Sequence, residues 1–172
     1  MDGFSLVPAV EMDGRWTVAD SAVHAFWDRI VEDDLDHVFW GSEIASGDQL
    51  VAMLKSPIVV GIFVADDTGL IGLAWLNEIR RNYACAHFLT LKSTWGRITV
   101  EMGQRVLEYW WGFDRQDGTP LFDVLIGNIP ANNQMALAYI NTLGFERVGP
   151  IPKIALGEDM VINYLERPHG RQ

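Results

Sequence analysis

Residues 128–149 read NIPANNQMALAYINTLGFERVG, and this order of turn, apolar and polar residues predicts a helix between two strands. The preceding run, residues 121–127, is apolar and follows turn residues, which predicts a buried strand. The helix is expected over residues 131–142, and Gly144 lies where a left-handed helix cap is needed. This stretch predicts an α/β protein.

A longer α/β unit lies immediately upstream. Residues 83–91 form a β-type run, and apolar residues recur at helical spacing over about residues 95–111. Strand, helix and strand in this order predict a parallel strand pair joined by a crossover helix. Ligands in such sheets bind near the carboxyl ends of the parallel strands.

The other predicted elements flank this unit. Thr17 or Asp20 is the expected cap of the first helix. The elements are a short strand at 5–10, helices at 17–32 and 46–55, a loop at 33–41, a hairpin of strands 58–65 and 70–76 with its turn at 66–69, and a final hairpin of strands 147–156 and 160–166. The pattern predicts one domain over residues 1–172, with a mixed, mostly antiparallel sheet of about seven strands flanked by about four helices.

Composition excludes several classes of protein. The formal net charge of −10 argues against nucleic-acid binding and is compatible with a cationic acceptor such as an amine. No apolar run reaches the ~20 residues that span a bilayer, and no signal peptide is evident, so we expect a cytoplasmic protein without membrane contact. Cys85 is the single cysteine, which excludes an internal disulfide. No metal site is expected, because no ligand-like spacing relates His24, His37, His87 and His169.

The segment quoted first resembles the C-terminal signature of the GNAT superfamily of N-acetyltransferases. That signature has an Asn after a strand, an Ala four residues later, and Leu-Gly-Phe before the next strand. Asn132, Ala136 and the run Leu143-Gly144-Phe145 occupy these places. The resemblance implies a GNAT-like sheet with a splayed parallel pair, acetyl-CoA (coenzyme A) as acyl donor, and a primary amine as acceptor. A homodimer is compatible with it.

The resemblance also implies positions for the cofactor. The pantetheine arm would pair with the backbone of Phe88, Leu89, Thr90 and Leu91. The pyrophosphate would lie on backbone N–H groups where the long helix begins, which bind a phosphate without particular side chains. These groups would belong to Gly96, Arg97, Ile98 and Thr99. Asn132 would contact the cofactor arm or cap its own helix.

The loop over residues 92–99, called the cofactor loop below, departs from the family pattern. It keeps one glycine and a basic side chain of the usual Arg/Gln-x-x-Gly-x-Gly/Ala motif. The alternative is structural: Thr94 caps the helix and Gly96 eases a turn. The incomplete loop and the seven tryptophans resemble divergent phage or prophage members of the superfamily.

The catalytic groups are less well defined. Family members often protonate the leaving thiolate with a tyrosine four residues after the signature Ala, but Ile140 stands there and Tyr139 precedes it. The candidate bases are Glu78 and His87, with Glu43 as a third choice. The alternatives are that His87 is a core residue and that Glu78 pairs with a neighbouring arginine.

Several residues are expected to be structural. Cys85 is predicted to be a small buried hydrophobe, and the acids of residues 32–36 a solvated loop. Two roles are compatible with Trp27, Phe39 and Trp40: packing in the core and lining an acceptor pocket. Three functions are compatible with the sequence: an N-acetyltransferase, an acyl-CoA-binding module without turnover, and a structural or interaction protein that keeps only the fold.

Overall fold

A computed structural model describes residues 3–39, 44–155 and 157–168 of the chain. Over these residues the α-helices are α1 (Asp20–Glu32), α2 (Gly47–Leu54), α3 (Arg97–Trp111) and α4 (Gln134–Thr142). The strands are β1 (Ser5–Ala9), β2 (Glu11–Met12), β3 (Arg15–Trp16), β4 (Val60–Asp66), β5 (Gly69–Asn77), β6 (Tyr83–Thr90), β7 (Val124–Pro130), β8 (Glu146–Ala155) and β9 (Glu158–Glu166). Single 3-10 turns lie at Asp36–Phe39 and Lys92–Thr94.

Seven of the described strands form one sheet in the order β1-β4-β5-β6-β7-β9-β8. The pairs β1–β4, β4–β5, β7–β9 and β8–β9 are antiparallel, whereas β6 and β7 are parallel. Helix α3 connects the parallel strands, because a parallel pair needs a crossover connection. The predicted mixed, mostly antiparallel sheet with one parallel pair is confirmed. The small β2–β3 hairpin was not predicted.

The chain divides into two compact units. The first unit comprises Met1–Leu76 and His87–Met102. Its core includes fully buried side chains from α1, α2 and β4, such as Ile30, Leu50 and Phe63. The predicted single domain over residues 1–172 stays a prediction.

The second unit comprises Asn77–Ala86 and Gly103–Gln172. Trp110, Phe122 and Leu125 are fully buried in it. The guanidinium of Arg167 donates to the carbonyl oxygens of Trp111 at 2.7 Å and Phe122 at 3.3 Å. It thereby stabilises the end of α3, where backbone carbonyls have no partner within the helix.

The start of α1 differs from the prediction. Its N-cap residue is Ala19, and no side chain caps it. Thr17 instead donates its hydroxyl to the carbonyl of Pro8 and accepts from the backbone N–H of Val10 at 3.1 Å. The Asp20 carboxylate pairs with Lys55 at 2.7 Å. Both predicted caps are therefore wrong, because each side chain has a tertiary partner.

The parallel strand and the helix after it both begin three residues later than predicted. Backbone bonds from Leu121 to Phe113 and from Asp123 to Asn82 hold the residues before β7 outside the strand. In α4, Asn133 is the N-cap and its side chain accepts from the N–H of Ala136 at 3.0 Å.

One predicted turn and one predicted helix cap are confirmed. In the β4–β5 turn the Asp66 carboxylate accepts from the hydroxyl of Thr68 at 2.6 Å and from its backbone N–H at 2.8 Å, and the hydroxyl, followed by the N–H, lowers the pKa of Asp66. Gly144 has φ of 93° directly after the last turn of α4, a left-handed conformation that favours glycine.

Candidate functional site

The parallel pair supplies the scaffold on which the resemblance places the cofactor arm. Its ladder joins Tyr83–Cys85 of β6 to Val124–Ile126 of β7. Beyond this ladder β6 continues to Thr90 and leads through Leu91 into the cofactor loop.

The backbone of Leu91 already has partners on both sides. Its N–H donates to the carbonyl of Ile71 in β5 at 3.1 Å. Its carbonyl accepts from the N–H of Thr94 at 2.9 Å and from the Thr94 hydroxyl at 2.8 Å. Leu91 is therefore the least suited of the four residues expected to pair with the arm.

The direction of the Leu91 N–H, directly after β6, also indicates to which edge the backbone groups of β6 are directed. Backbone groups of successive strand residues point to alternate edges. Because the Leu91 N–H is directed to β5, regular alternation predicts the same direction for Leu89 and the opposite edge for Phe88 and Thr90. The two residues suited to an extended ligand on that edge are Phe88 and Thr90.

A side chain of the cofactor loop occupies this edge. The indole Nε1–H of Trp95 donates to the carbonyl oxygen of Thr90 at 3.2 Å, and the Trp95 side chain is 42% exposed. The sequence contains no signal for this bond, since neither residue type at this spacing predicts it.

Gly96 provides the turn from the loop into α3. Its φ of 123° lies in the region that favours glycine, and a Cβ on it would meet no atom within 4 Å outside the two neighbouring residues. Helix α3 begins at the next residue, Arg97. Open space therefore adjoins the helix start, where the first N–H groups have no intrahelical acceptor.

Thr94 does not cap α3. Its hydroxyl donates to Leu91, and its carbonyl accepts from the hydroxyl of Thr99 at 2.6 Å. Thr94 and Thr99 are both buried, and Ile98 is 37% exposed. The structural alternative for Thr94 is corrected: it stabilises the 3-10 turn of the loop, not the helix.

An acidic side chain also holds the cofactor loop. The Asp33 carboxylate, at the end of α1, accepts from the backbone N–H of Lys92 at 2.7 Å. Sequence reasoning assigned Asp33 to a solvated loop and missed this contact. A single aspartate far away in sequence carries no signal for it.

Glu78 lies at the end of β5 in a strained backbone conformation. Its φ is 47°, which is uncommon for a residue other than glycine. Its exposed side chain accepts from the Sγ–H of Cys85 through Oε2 at 3.7 Å. We call these two residues the Glu78 corner.

Cys85 is 5% exposed, which confirms the prediction of a small buried residue. Burial, reinforced by the Glu78 carboxylate, raises the pKa of its thiol to about 11. The thiol therefore stays protonated at neutral pH and acts as a donor to Glu78, not as a nucleophile.

His87 belongs to a stack of rings in the first unit. Its imidazole is parallel to the indole of Trp75 with ring centroids 4.7 Å apart, and Trp75 stacks on Phe39 at 5.5 Å. Trp27 follows at 5.7 Å from Phe39. Burial lowers the pKa of His87 to about 4, so the imidazole is neutral at pH 7. We call these four residues the aromatic stack.

The aromatic stack shows whether Trp27 and Phe39 pack in the core or line an acceptor pocket. Trp27 is 7% and Phe39 4% exposed, and both belong to the core of the first unit. They are packing residues. Trp40 and the third candidate base, Glu43, lie outside the described residues.

Tyr139 is directed at α3 within the second unit. A Cβ on Gly103 would clash with the Tyr139 hydroxyl oxygen, so the glycine makes room for it. Burial raises the pKa of Tyr139 above its usual range. The hydroxyl is thus held against the middle of α3.

Asn132 is exposed and lies between β7 and α4. Its carbonyl accepts from the N–H of Gln134 at 3.0 Å, whereas the cap of α4 is its neighbour Asn133. The alternative that Asn132 caps the helix is wrong, because the chain enters the helix one residue later.

The predicted acidic loop brings three possible metal ligands together. Asp34, Asp36 and His37 offer atoms within 4.8 Å of one another, and all three residues are exposed. Exposed acids of this kind are common on solvated loops, and Asp34 has a turn conformation with φ of 54°. The cluster carries no further assignment.

Comparison with known proteins identifies the fold. No protein-family model matches the chain, and no curated protein matches it. Among solved structures, a variant of spermidine N-acetyltransferase SpeG from Vibrio cholerae has a TM-score of 0.70 at 14% identity, covering 95% of this chain and 93% of that chain. The same enzyme in complex with CoA and spermine has a TM-score of 0.68 at 15% identity and covers 95% of both chains.

A probable acetyltransferase is also similar, with a TM-score of 0.67 at 13% identity over 87% of this chain and 90% of that chain. The fold is that of GNAT-type N-acetyltransferases, which confirms the fold that the sequence resemblance implied. None of the described helices is both long and apolar enough to cross a membrane.

Proposed function

We propose that this chain is an N-acetyltransferase that transfers an acetyl group from acetyl-CoA directly to a primary amine of a small molecule or protein. The observation that carries the proposal is the start of α3. A left-handed glycine with open space beside it leads there from the parallel strand into the helix, within a fold shared with an enzyme solved with CoA.

The pyrophosphate of the cofactor would bind where α3 begins. Helix N-terminal N–H groups and the positive end of the helix dipole attract phosphate. In this proposal the backbone N–H groups of Gly96, Arg97, Ile98 and Thr99 donate to the phosphate oxygens. The open space beside Gly96 supports this placement.

The pantetheine arm would run along β6. We assign its backbone contacts to Phe88 and Thr90, whose polar groups are directed away from β5. Leu89 and Leu91 would support the arm indirectly, since their side chains are buried in the core of the first unit and hold the strand in place. Asn132 keeps its proposed contact with the arm through its exposed side chain.

The reaction requires a neutral amine. The amine nitrogen attacks the thioester carbonyl, the C–N bond forms, the C–S bond breaks, and CoA leaves as a thiolate. The amine loses one proton, and we assign its acceptance to the exposed carboxylate of Glu78. The protonated thiol of Cys85 orients that carboxylate through the Oε2 contact. The strained φ of Glu78 supports a functional role, since such strain concentrates at active sites.

His87 is the second candidate base. Its imidazole is neutral at pH 7 and can accept a proton, but burial makes the cation costly. The imidazole is stacked on the Trp75 indole, whereas the Glu78 side chain is exposed and can be reached by an amine. We therefore prefer Glu78 as the base.

A thiol-release assay with acetyl-CoA across a panel of primary amines tests the proposal. We expect CoA release that depends on one or more amines and is strongly reduced in Glu78→Gln. The matched control is Glu108→Gln, an exposed glutamate of α3 in the same unit. Absence of release with every amine, in protein that binds CoA, would contradict turnover.

A second candidate is an acyl-CoA-binding module without turnover. Tyr139 favours it, because the tyrosine nearest the position of the family's usual acid has its hydroxyl against Gly103. Binding of CoA without thiol release would support this second candidate. A cytoplasmic location and a homodimer remain part of the proposal.

A further inference from the structure

Trp95 links the cofactor loop to the strand that the arm is proposed to follow. Its indole N–H donates to the Thr90 carbonyl at 3.2 Å, so the ring lies at the edge of β6. The contact is made by a side chain that is 42% exposed, although tryptophan is usually highly buried.

The indole bond uses the Thr90 carbonyl, which lies on the edge of β6 directed away from β5. Leu91, the next residue, has its N–H on Ile71 and therefore shows which way β5 lies. The Thr90 carbonyl is consequently the last acceptor of β6 on the edge assigned above to the pantetheine arm. Pantetheine contains amide N–H groups, which are the same kind of donor as the indole N–H.

We propose that Trp95 is a positioning residue that competes with a pantetheine amide of CoA for the Thr90 carbonyl. The inference rests on the proposed function, because it needs the arm to run along this edge of β6. Without cofactor, the indole satisfies the carbonyl; when CoA binds, the amide of the arm replaces it and the indole turns toward water.

The local structure allows this exchange without unfolding the loop. The backbone N–H of Trp95 donates to the carbonyl of Lys92 at 3.2 Å, which holds the 3-10 turn independently of the side chain. Trp95 is 42% exposed, so its ring already borders water. Rotation about its side-chain bonds releases Thr90 while the backbone bond to Lys92 is kept.

The exchange has a measurable consequence for affinity. CoA must break the indole bond before its amide can use the carbonyl, which weakens binding by the net value of one hydrogen bond. Trp95→Phe keeps an aromatic ring but removes the donor. We expect this variant to bind CoA about three- to tenfold more tightly than the wild type, the factor that corresponds to one such bond.

The experiment is calorimetry with two ligands. CoA carries the pantetheine arm, and adenosine 3′,5′-bisphosphate carries nucleotide phosphates without it. Trp95→Phe should tighten CoA binding and leave binding of the bisphosphate unchanged. Trp16→Phe is the matched control, a tryptophan of β3 in the same unit whose replacement should alter neither affinity.

Nuclear magnetic resonance gives an independent readout. The indole N–H signal missing from the Trp95→Phe spectrum identifies Trp95, and saturating CoA should increase its exchange with water. Unchanged or weaker CoA binding by Trp95→Phe, or equal tightening of both ligands, would overturn the inference. If wild-type protein binds neither ligand, the proposed function itself fails and the inference falls with it.

Discussion

The Glu78 corner and the aromatic stack hold the two candidate bases in opposite environments. Glu78 is an exposed carboxylate on strained backbone beside a protonated thiol, whereas His87 is a partly buried imidazole against an indole. Water stabilises a charged carboxylate, whereas burial keeps the His87 imidazole neutral. We therefore expect proton transfer at Glu78 and a packing role for His87.

The largest effect is expected at the corner. Glu78→Gln keeps the shape of the side chain and removes its charge, so the proton of the amine loses its acceptor. We expect the rate of thiol release to fall by about 100-fold or more, the usual value of a positioned base. A fall in rate of less than about threefold, with unchanged CoA affinity, would show that another group accepts the proton of the amine.

The next effect concerns stability at the stack. The pKa of His87 is about 4 when folded, below its ordinary 6.5, so the unfolded chain binds more protons between these values. Stability should fall as the pH drops from about 6.5 to 4, by at most roughly 3 kcal/mol. His87→Phe should lose this part of the pH dependence.

Urea unfolding at pH 7.5, 5.5 and 4.5 measures it, and exposed His24→Phe is the control. An identical pH dependence in wild type and His87→Phe would show that burial of His87 has no such consequence. The same variant should retain most of its thiol-release activity if Glu78 is the base.

A smaller effect is expected from Cys85→Ala. This change removes the thiol that donates to the Glu78 carboxylate and leaves the carboxylate itself in place. We expect activity to fall by about three- to fivefold, since one weak neutral donor is lost. Steady-state kinetics in parallel with Glu78→Gln measure it. A loss as large as that of Glu78→Gln would give the thiol a direct role.

The smallest effect is expected from Tyr139→Phe. The hydroxyl lies against Gly103, and its pKa is raised by burial, so the variant should keep its thiol-release rate within about threefold. A loss of about 100-fold would make Tyr139 the acid that protonates the leaving thiolate. Thermal unfolding of the same preparation separates such a loss from lower stability.

Sequence reasoning succeeded where the determinants are local. The Asp66 turn and the Gly144 cap follow from the preferences of single residues, and both are confirmed. The parallel pair was predicted from the order of periodic segments, although β7 begins later than expected. Its start depends on bonds to Phe113 and Asn82, which no local pattern encodes.

The site was harder to predict because its contacts are tertiary. Each of three contacts joins a side chain to a group across a turn or in another element: Trp95 to the Thr90 carbonyl, Asp33 to the Lys92 N–H, and His87 to the Trp75 ring. The family signature identified the region of Asn132 but not the cap, because Asn133 is an equally good capping residue one position later.

Calorimetric titration of the full chain with CoA tests the central claim most directly, since every proposed step depends on the cofactor site at the start of α3. We expect saturable binding of one CoA per chain with a dissociation constant between about 1 μM and 1 mM, the range typical of enzyme substrates. No detectable binding at millimolar CoA would contradict both the acetyltransferase and the acyl-CoA-binding proposals, and would leave a protein that shares only the fold.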